Sequence, residues 1–248
     1  VMYAMSAQLQ GLNFVGVPLS PDFELDLPAM LEAIGKHKPS ITYLAYPNNP
    51  TANCWDDAAI ETIVDAVGRQ GGLVVMDEAY QPFAGNSYID RIAAWDHVLL
   101  MRTLSKFGLA GIRLGYMMGP AALMAEIDKV RPPYNVSVLN CECALFALEH
   151  QAVFARQAQA IVAEREKLLA ALAALPGVTP YRSDANMVLL RLSGPPERAA
   201  TVFEALKGQR VLVKNVSKMH PLLTNCLRLT VGTPDENALL LQALQHSL

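Results

Sequence analysis

The chain has 248 residues, 52% of them hydrophobic and 17% charged, and a formal net charge of −3. That length and apolar content suffice for a packed core, while the sparse, slightly acidic charge excludes the dense cationic face that nucleic-acid backbones require. No apolar run approaches the roughly 20 residues of a membrane span, and Val1-Met2-Tyr3-Ala4-Met5 lacks the charged-then-apolar order of a signal peptide; no nucleic-acid or membrane partner is expected, and the location expected is cytoplasmic.

In chain order, short apolar runs predict strands over residues 14–18, 41–45, 73–76, 98–102 and 113–117. Helical spacing of apolar residues predicts helices over 27–36 and 57–69, the second opened by Asp56 as an N-cap. Strands alternating with helices read as an α/β architecture, a mainly parallel sheet flanked by helices and buried on both faces. After Pro132-Pro133 a long helical region follows, over 139–175, ending at Pro176-Gly177. Strands over 187–192, 211–213 and 227–231 and helices over 196–207 and 234–245 then predict a smaller α+β domain. The expected division is a large domain over 1–138, a linking helical region over 139–175 and a small C-terminal domain over 176–248.

Four cysteines, Cys54, Cys141, Cys143 and Cys226, lack C-x-x-C spacing, so buried reduced thiols are expected. Cys141 and Cys143 stand two apart in a predicted helix and face different ways. The five histidines are scattered, and no metal is expected.

Four polar clusters fall at predicted strand ends, where an open α/β sheet collects its ligands. Tyr46-Pro47-Asn48-Asn49-Pro50-Thr51 follows the first, and taken alone is a turn. Asp77-Glu78-Ala79-Tyr80 follows the second; a carboxylate there needs a cation or donors unless it simply caps a helix. In the segment from Arg102 to Arg113, Thr103 and Ser105 flank Lys106, Gly108 and Gly111 allow close backbone approach, and Arg113 closes the run. Such a segment can place an amine nucleophile beside an anion site, or be a glycine-bearing surface loop. In the fourth, Asn225 to Thr233, Arg228 lies within a strand and calls for an anion or a structural ion pair.

In order, Asn-Pro-Thr, Asp-Glu-Ala-Tyr, Ser-Lys-Phe-Gly-Leu-Ala-Gly-Ile-Arg and Cys-Leu-Arg-Leu-Thr-Val-Gly-Thr resemble the fold-type I aminotransferases that use pyridoxal phosphate, and within them the histidinol-phosphate branch. The likeness extends through Arg131-Pro132-Pro133-Tyr134-Asn135 to Gly232-Thr233-Pro234-Asp235. It implies that Lys106 bonds covalently to pyridoxal phosphate and moves a proton during the reaction, and that Asp77 keeps the pyridine nitrogen protonated. Asn49 and Tyr80 would hydrogen-bond the ring's phenolic oxygen, and Thr103, Ser105 and Arg113 would hold the phosphate. Arg228, with Asn49 and Lys214, would bind substrate. The implied reaction passes an amino group between histidinol phosphate and the glutamate/2-oxoglutarate pair, a step of histidine biosynthesis, in a homodimer. An aromatic aminotransferase, an amino-acid-phosphate decarboxylase and a non-catalytic remnant remain as rival readings.

Four departures stand out. Ala52 replaces the usual glycine after Asn-Pro-Thr, so the turn must avoid positive φ or accept strain. Phe107 alone separates Lys106 from Gly108, and Lys214 stands where relatives often carry arginine. At the front, the resemblance implies a preceding arm, a glycine-serine phosphate loop and an aromatic that stacks on the cofactor, none matched here. The chain is therefore expected to be an N-terminally truncated fragment, poorly soluble and inactive alone.

Overall fold

The computed structural model describes residues 2–248. Three strands, β1 (Ile41–Ala45), β2 (Leu73–Asp77) and β3 (Val98–Thr103), pair in parallel, and β4 (Gly115–Met118) joins β3 antiparallel. Two helices cover one face, α2 (Leu27–His37) and α3 (Asp57–Gly68). Each is opened by an aspartate whose carboxylate accepts an orphan amide, Asp26 from Ala29 and Asp56 from Ala59. Ile34 of α2 and Ile60, Ile63, Val64 and Val67 of α3 pack on Leu44, Val74, Met76, Val98 and Leu100 in one continuous core.

The second sheet is antiparallel, in the order β5 (Val178–Pro180), β6 (Met187–Leu192), β8 (Cys226–Thr230), β7 (Lys214–Asn215). Its core joins Val188, Leu190, Leu227 and Leu229 to Leu168 and Leu172 of α6 (Gln151–Ala173), Val202 and Leu206 of α7 (Arg198–Gly208), and Leu240 and Leu244 of α8 (Pro234–Ser247). The last helix starts with a capping box, Thr233 and Glu236 each binding the other's backbone amide. Arg165 of α6, buried, ties the two sheets together by donating to Phe83 O and Ala185 O, both at 3.1 Å.

Several expected elements differ. Residues 14–18 are extended but form no ladder; they line a groove beside β1 instead. The strand expected over 113–117 begins at Gly115 and runs antiparallel, because the link from Leu104 to Leu114 holds only a short 3-10 turn and a parallel return needs a longer crossover. The strand expected over 211–213 is displaced to β7: Val211 and Val213 pack on the core without pairing. The long helical region breaks at His150, giving α5 (Val138–Glu149) and α6. Neither α1 (Met2–Leu9), α4 (Ala121–Lys129) nor β5 was expected. Burial on both faces fails at β1, where Ile41 and Tyr43 stay exposed on the face opposite α2 and α3. Cys141 and Cys143 are exposed on α5, against the expectation of buried thiols. Among the described residues no helix is long and apolar enough to cross a membrane, and no cluster of His, Cys, Asp or Glu suits a metal ion.

Candidate active site

Parallel pairing sets Ala45 beside Asp77 and Asp77 beside Met101, so the segments leaving β1, β2 and β3 emerge at one edge of the sheet. Adjacent residues at the end of β2 part to opposite faces. Asp77 Oδ1 accepts from Ala79 N at 3.0 Å, and Oδ2 accepts from the Tyr3 hydroxyl. Burial, then the Asp77 charge and hydrogen bond, hold the Tyr3 phenol well above its ordinary range. Tyr3 also stacks on Tyr43, centroids 4.4 Å apart. Tyr3 thus places an aromatic ring beside Asp77 at this edge. Glu78 is buried and accepts from Arg102 Nε and Nη2, Ser87 Oγ and Tyr88 N. A buried carboxylate so fully supplied with donors fixes the ends of β2 and β3 against each other.

From the β1 end, Asn49 reaches across both sheets. Its Nδ2 donates to the Tyr80 hydroxyl at 3.0 Å, and its Oδ1 accepts from Arg228 Nη1 at 2.6 Å. Burial raises the Tyr80 phenol above its usual value, opposed by the Arg228 charge. Lys106 Nζ lies 5.3 Å from the centre of the Tyr80 ring. Asn49, Tyr80, Lys106 and Arg228 thus form one cluster, with Asp77 at the neighbouring strand end. Lys214, exposed on β7, is the register partner of Arg228, and its ammonium joins no hydrogen bond or ion pair among the described residues.

A second group lies on the loop after β3. Thr103 Oγ1 accepts from Ser105 N and donates to Leu114 O, and Arg113 Nη1 donates to Ser105 Oγ at 3.3 Å. Arg113 itself sits in the left-handed region, φ 51°. Gly108 has φ +119°, and a Cβ there would meet the Phe154 ring at 3.0 Å, so the site loop can close on α6 only with glycine. From α5, Asn140 Nδ2 donates to Ile112 O.

Ala52 resolves the question its substitution raised: it accepts the strain, with φ 67° and no exposed surface. A residue with a Cβ gives up about 1–2 kcal/mol there. The turn is closed by Ala52 N to Asn48 O and Asn48 N to Asn53 O, and met from the second sheet by Asp184, whose amide donates to Ala52 O at 2.7 Å and whose carboxylate accepts from Cys54 N at 2.8 Å. Burial, then the Asp184 charge, push the Cys54 thiol up to about 12, leaving it protonated and inert.

Sequence reasoning passed over Tyr3, the Glu78–Arg102 pair and Asp184. The pair carried a faint signal, since each member is one residue from an expected site residue on adjacent strands; Tyr3 and Asp184 carried none. Chemically the arrangement presents an amine, a carboxylate at the adjoining strand end, and a hydroxyl-guanidinium group on a tight loop. That donor set fits pyridoxal phosphate, which offers a carbonyl, a basic ring nitrogen and a phosphate dianion to those groups.

Residues 1–244 match the family model "Aminotransferase class I and II". The chain is 73% identical over its whole length to the histidinol-phosphate aminotransferase of Polaromonas naphthalenivorans and 70% to that of Methylibium petroleiphilum, spanning 67% and 66% of those proteins, about two thirds of the length of the curated relatives it matches. It is also similar to the crystal structure of the Sinorhizobium meliloti histidinol-phosphate aminotransferase in complex with pyridoxal-5'-phosphate, at a TM-score of 0.87 and 26% identity, over 99% of this chain and 67% of that one. The chain belongs to the class I and II aminotransferases.

Proposed function

We infer that this protein transfers the amino group between histidinol phosphate and the glutamate/2-oxoglutarate pair with pyridoxal phosphate as cofactor. The observation that carries the reading is the Tyr80–Asn49–Arg228 bridge beside Lys106, which joins an amine site to an anion-binding guanidinium. The high identity to histidinol-phosphate aminotransferases supports the choice of substrate.

When bound, pyridoxal phosphate supplies the carbonyl that accepts the amino group and the ring that withdraws electrons from the substrate carbon. Lys106 Nζ would be the amine that holds the cofactor and, as a free base, would move a proton from the substrate carbon to the cofactor. Asp77 would keep a proton on the ring nitrogen. Asn49 and Tyr80 would hold the phenolic oxygen, and Thr103, Ser105 and Arg113 the phosphate. Arg228 takes the substrate's anionic end, alternately carboxylate and phosphate, and Lys214, its register partner, adds a second cation. The protein works as a cytoplasmic homodimer; Val138, Leu139, Leu145 and Phe146, exposed on α5, supply apolar surface for a second copy.

The test is an absorption spectrum of the purified protein with pyridoxal phosphate. Histidinol phosphate should abolish the visible band and 2-oxoglutarate restore it. A response to tyrosine or phenylalanine in place of histidinol phosphate would move the reading to an aromatic aminotransferase.

A further inference from the structure

We propose that Asp184 is a positioning residue that holds the strained Ala52 turn and, through it, places Asn49 between Tyr80 and Arg228. The inference rests on the reading of Asn49 and Arg228 as site residues.

The turn at residues 48–53 has little of its own to keep it in place. Ala52 occupies the left-handed region with a side chain that cannot take it up freely. Its closing bonds run only within the turn, Ala52 N to Asn48 O and Asn48 N to Asn53 O, with Asn48 Nδ2 donating to Thr51 Oγ1. Outside it, Asn53 Nδ2 donates to Phe23 O at 3.1 Å at the far end of the turn, and Asp184 grips both sides of Ala52–Cys54, the backbone amide on Ala52 O and the carboxylate on Cys54 N. Arg182 adds a contact to Cys54 O while bound to Glu24, but it is largely exposed. Beneath the turn the Ala52 methyl packs against Ala185 and Met187, with Tyr80 against the same cluster.

Asp184 also stands at the right place in the second sheet to couple the two. It lies just before β6, whose Leu189 is the register partner of Arg228 on β8. The same sheet therefore holds Asn49 twice: by Arg228 on its side chain and by Asp184 on the turn that carries it. With Asp184 cut back, the Ala52 turn relaxes toward negative φ, Asn49 shifts, and Arg228 loses its only side-chain partner among the described residues.

Three variants test this, Asp184→Ala, Asp184→Asn and Ala52→Gly, read by amide hydrogen exchange over residues 48–54 and by steady-state kinetics with glutamate. Asp184→Ala should speed exchange over 48–54 by about tenfold and raise KM for glutamate by a similar factor with kcat nearly unchanged. Asp184→Asn should restore both, because an amide oxygen still accepts from Cys54 N. In the Ala52→Gly background, where the turn is unstrained, Asp184→Ala should change exchange and KM by no more than about twofold. Unchanged exchange in Asp184→Ala, or an equal effect with and without Ala52→Gly, would overturn the inference. Failure of the functional reading looks different: the unaltered protein would show no pyridoxal-dependent transfer, while the exchange experiment would still decide whether Asp184 holds the turn.

Discussion

The mainly parallel sheet β1–β4 and the antiparallel sheet β5–β8 bury different kinds of residue. In the first, the strand ends carry Asp77, Glu78, Arg102 and Thr103, two of which form a buried ion pair, and the adjoining loops place Ala52 and Arg113 at positive φ. In the second, β6 is almost wholly buried and apolar, and its core closes against α6, α7 and α8. Arg228 is the one expected site residue drawn from within that sheet's long strands. Charged strand ends are gathered where the chemistry is proposed, and hydrophobic packing dominates where the structure must hold a single guanidinium in place, although positive φ occurs beside both sheets, at Ala52 and Arg113 and again at Arg210 and Asn225.

The largest effect that would sharpen this contrast is Lys106→Ala, which should lower turnover by about four orders of magnitude while leaving thermal stability unchanged. A covalent adduct mapped to another lysine would break it. In the opposite sense, Leu190→Ala in the core of the second sheet should cost about 2–5 kcal/mol in denaturant unfolding, with activity per folded molecule preserved. Loss of activity without loss of stability there would mean that the packing sheet is not merely a support.

Between these lies Arg228→Lys, which keeps the charge but loses the planar fork. It should raise KM for both histidinol phosphate and glutamate by roughly 10- to 100-fold, measured separately for each. An effect on one substrate alone would give the two anions different sites. The smallest expected effect concerns Asp57, away from the site, which accepts from Tyr46 and Tyr88 and pairs with Arg91. Burial alone would raise its carboxyl; the bonds from Tyr88 and Tyr46 and the Arg91 charge outweigh it and hold the group below its usual value. Its contribution is therefore complete above the ordinary carboxylate range and lost as pH falls through the folded value. Asp57→Asn should cost about 1 kcal/mol at neutral pH and less in acid, seen as a shallower fall of melting temperature on acidification.

The parts legible in the sequence are those where a local pattern and a fold rule agree. Apolar runs ending in Asp77, and a hydroxyl-flanked Lys106 after another, point to the carboxyl edge of a parallel sheet because strand period and ligand position both demand it. Ala52 was readable as a choice between avoiding positive φ and accepting strain, but what supports the strained turn was not, since that support comes from Asp184 on the other sheet. Residues 14–18 and 211–213 show the opposite failure. Their apolar runs report burial or extension, but a strand exists only where a partner offers free backbone, and that is a property of distant segments. The break at His150 was hidden because both halves have helical composition; α5 ends where His150 leaves helical geometry, φ −105° and ψ 22°, with its ring Nδ1 2.8 Å from Phe146 O and stacked on the Phe146 ring.

Arg165 is a buried member of a set of ties between the two sheets. One guanidinium nitrogen is shared by a carbonyl beside each of them, while Nε pairs with the Glu166 carboxylate at 3.0 Å. The same two sides also meet where Arg228 holds Asn49, where Asp184 accepts from Cys54 N and where Ala52 packs on Ala185 and Met187. The seam is thus fastened at several separated points, and a shift of either sheet has to break or stretch contacts on the Ala52 turn that carries Asn49.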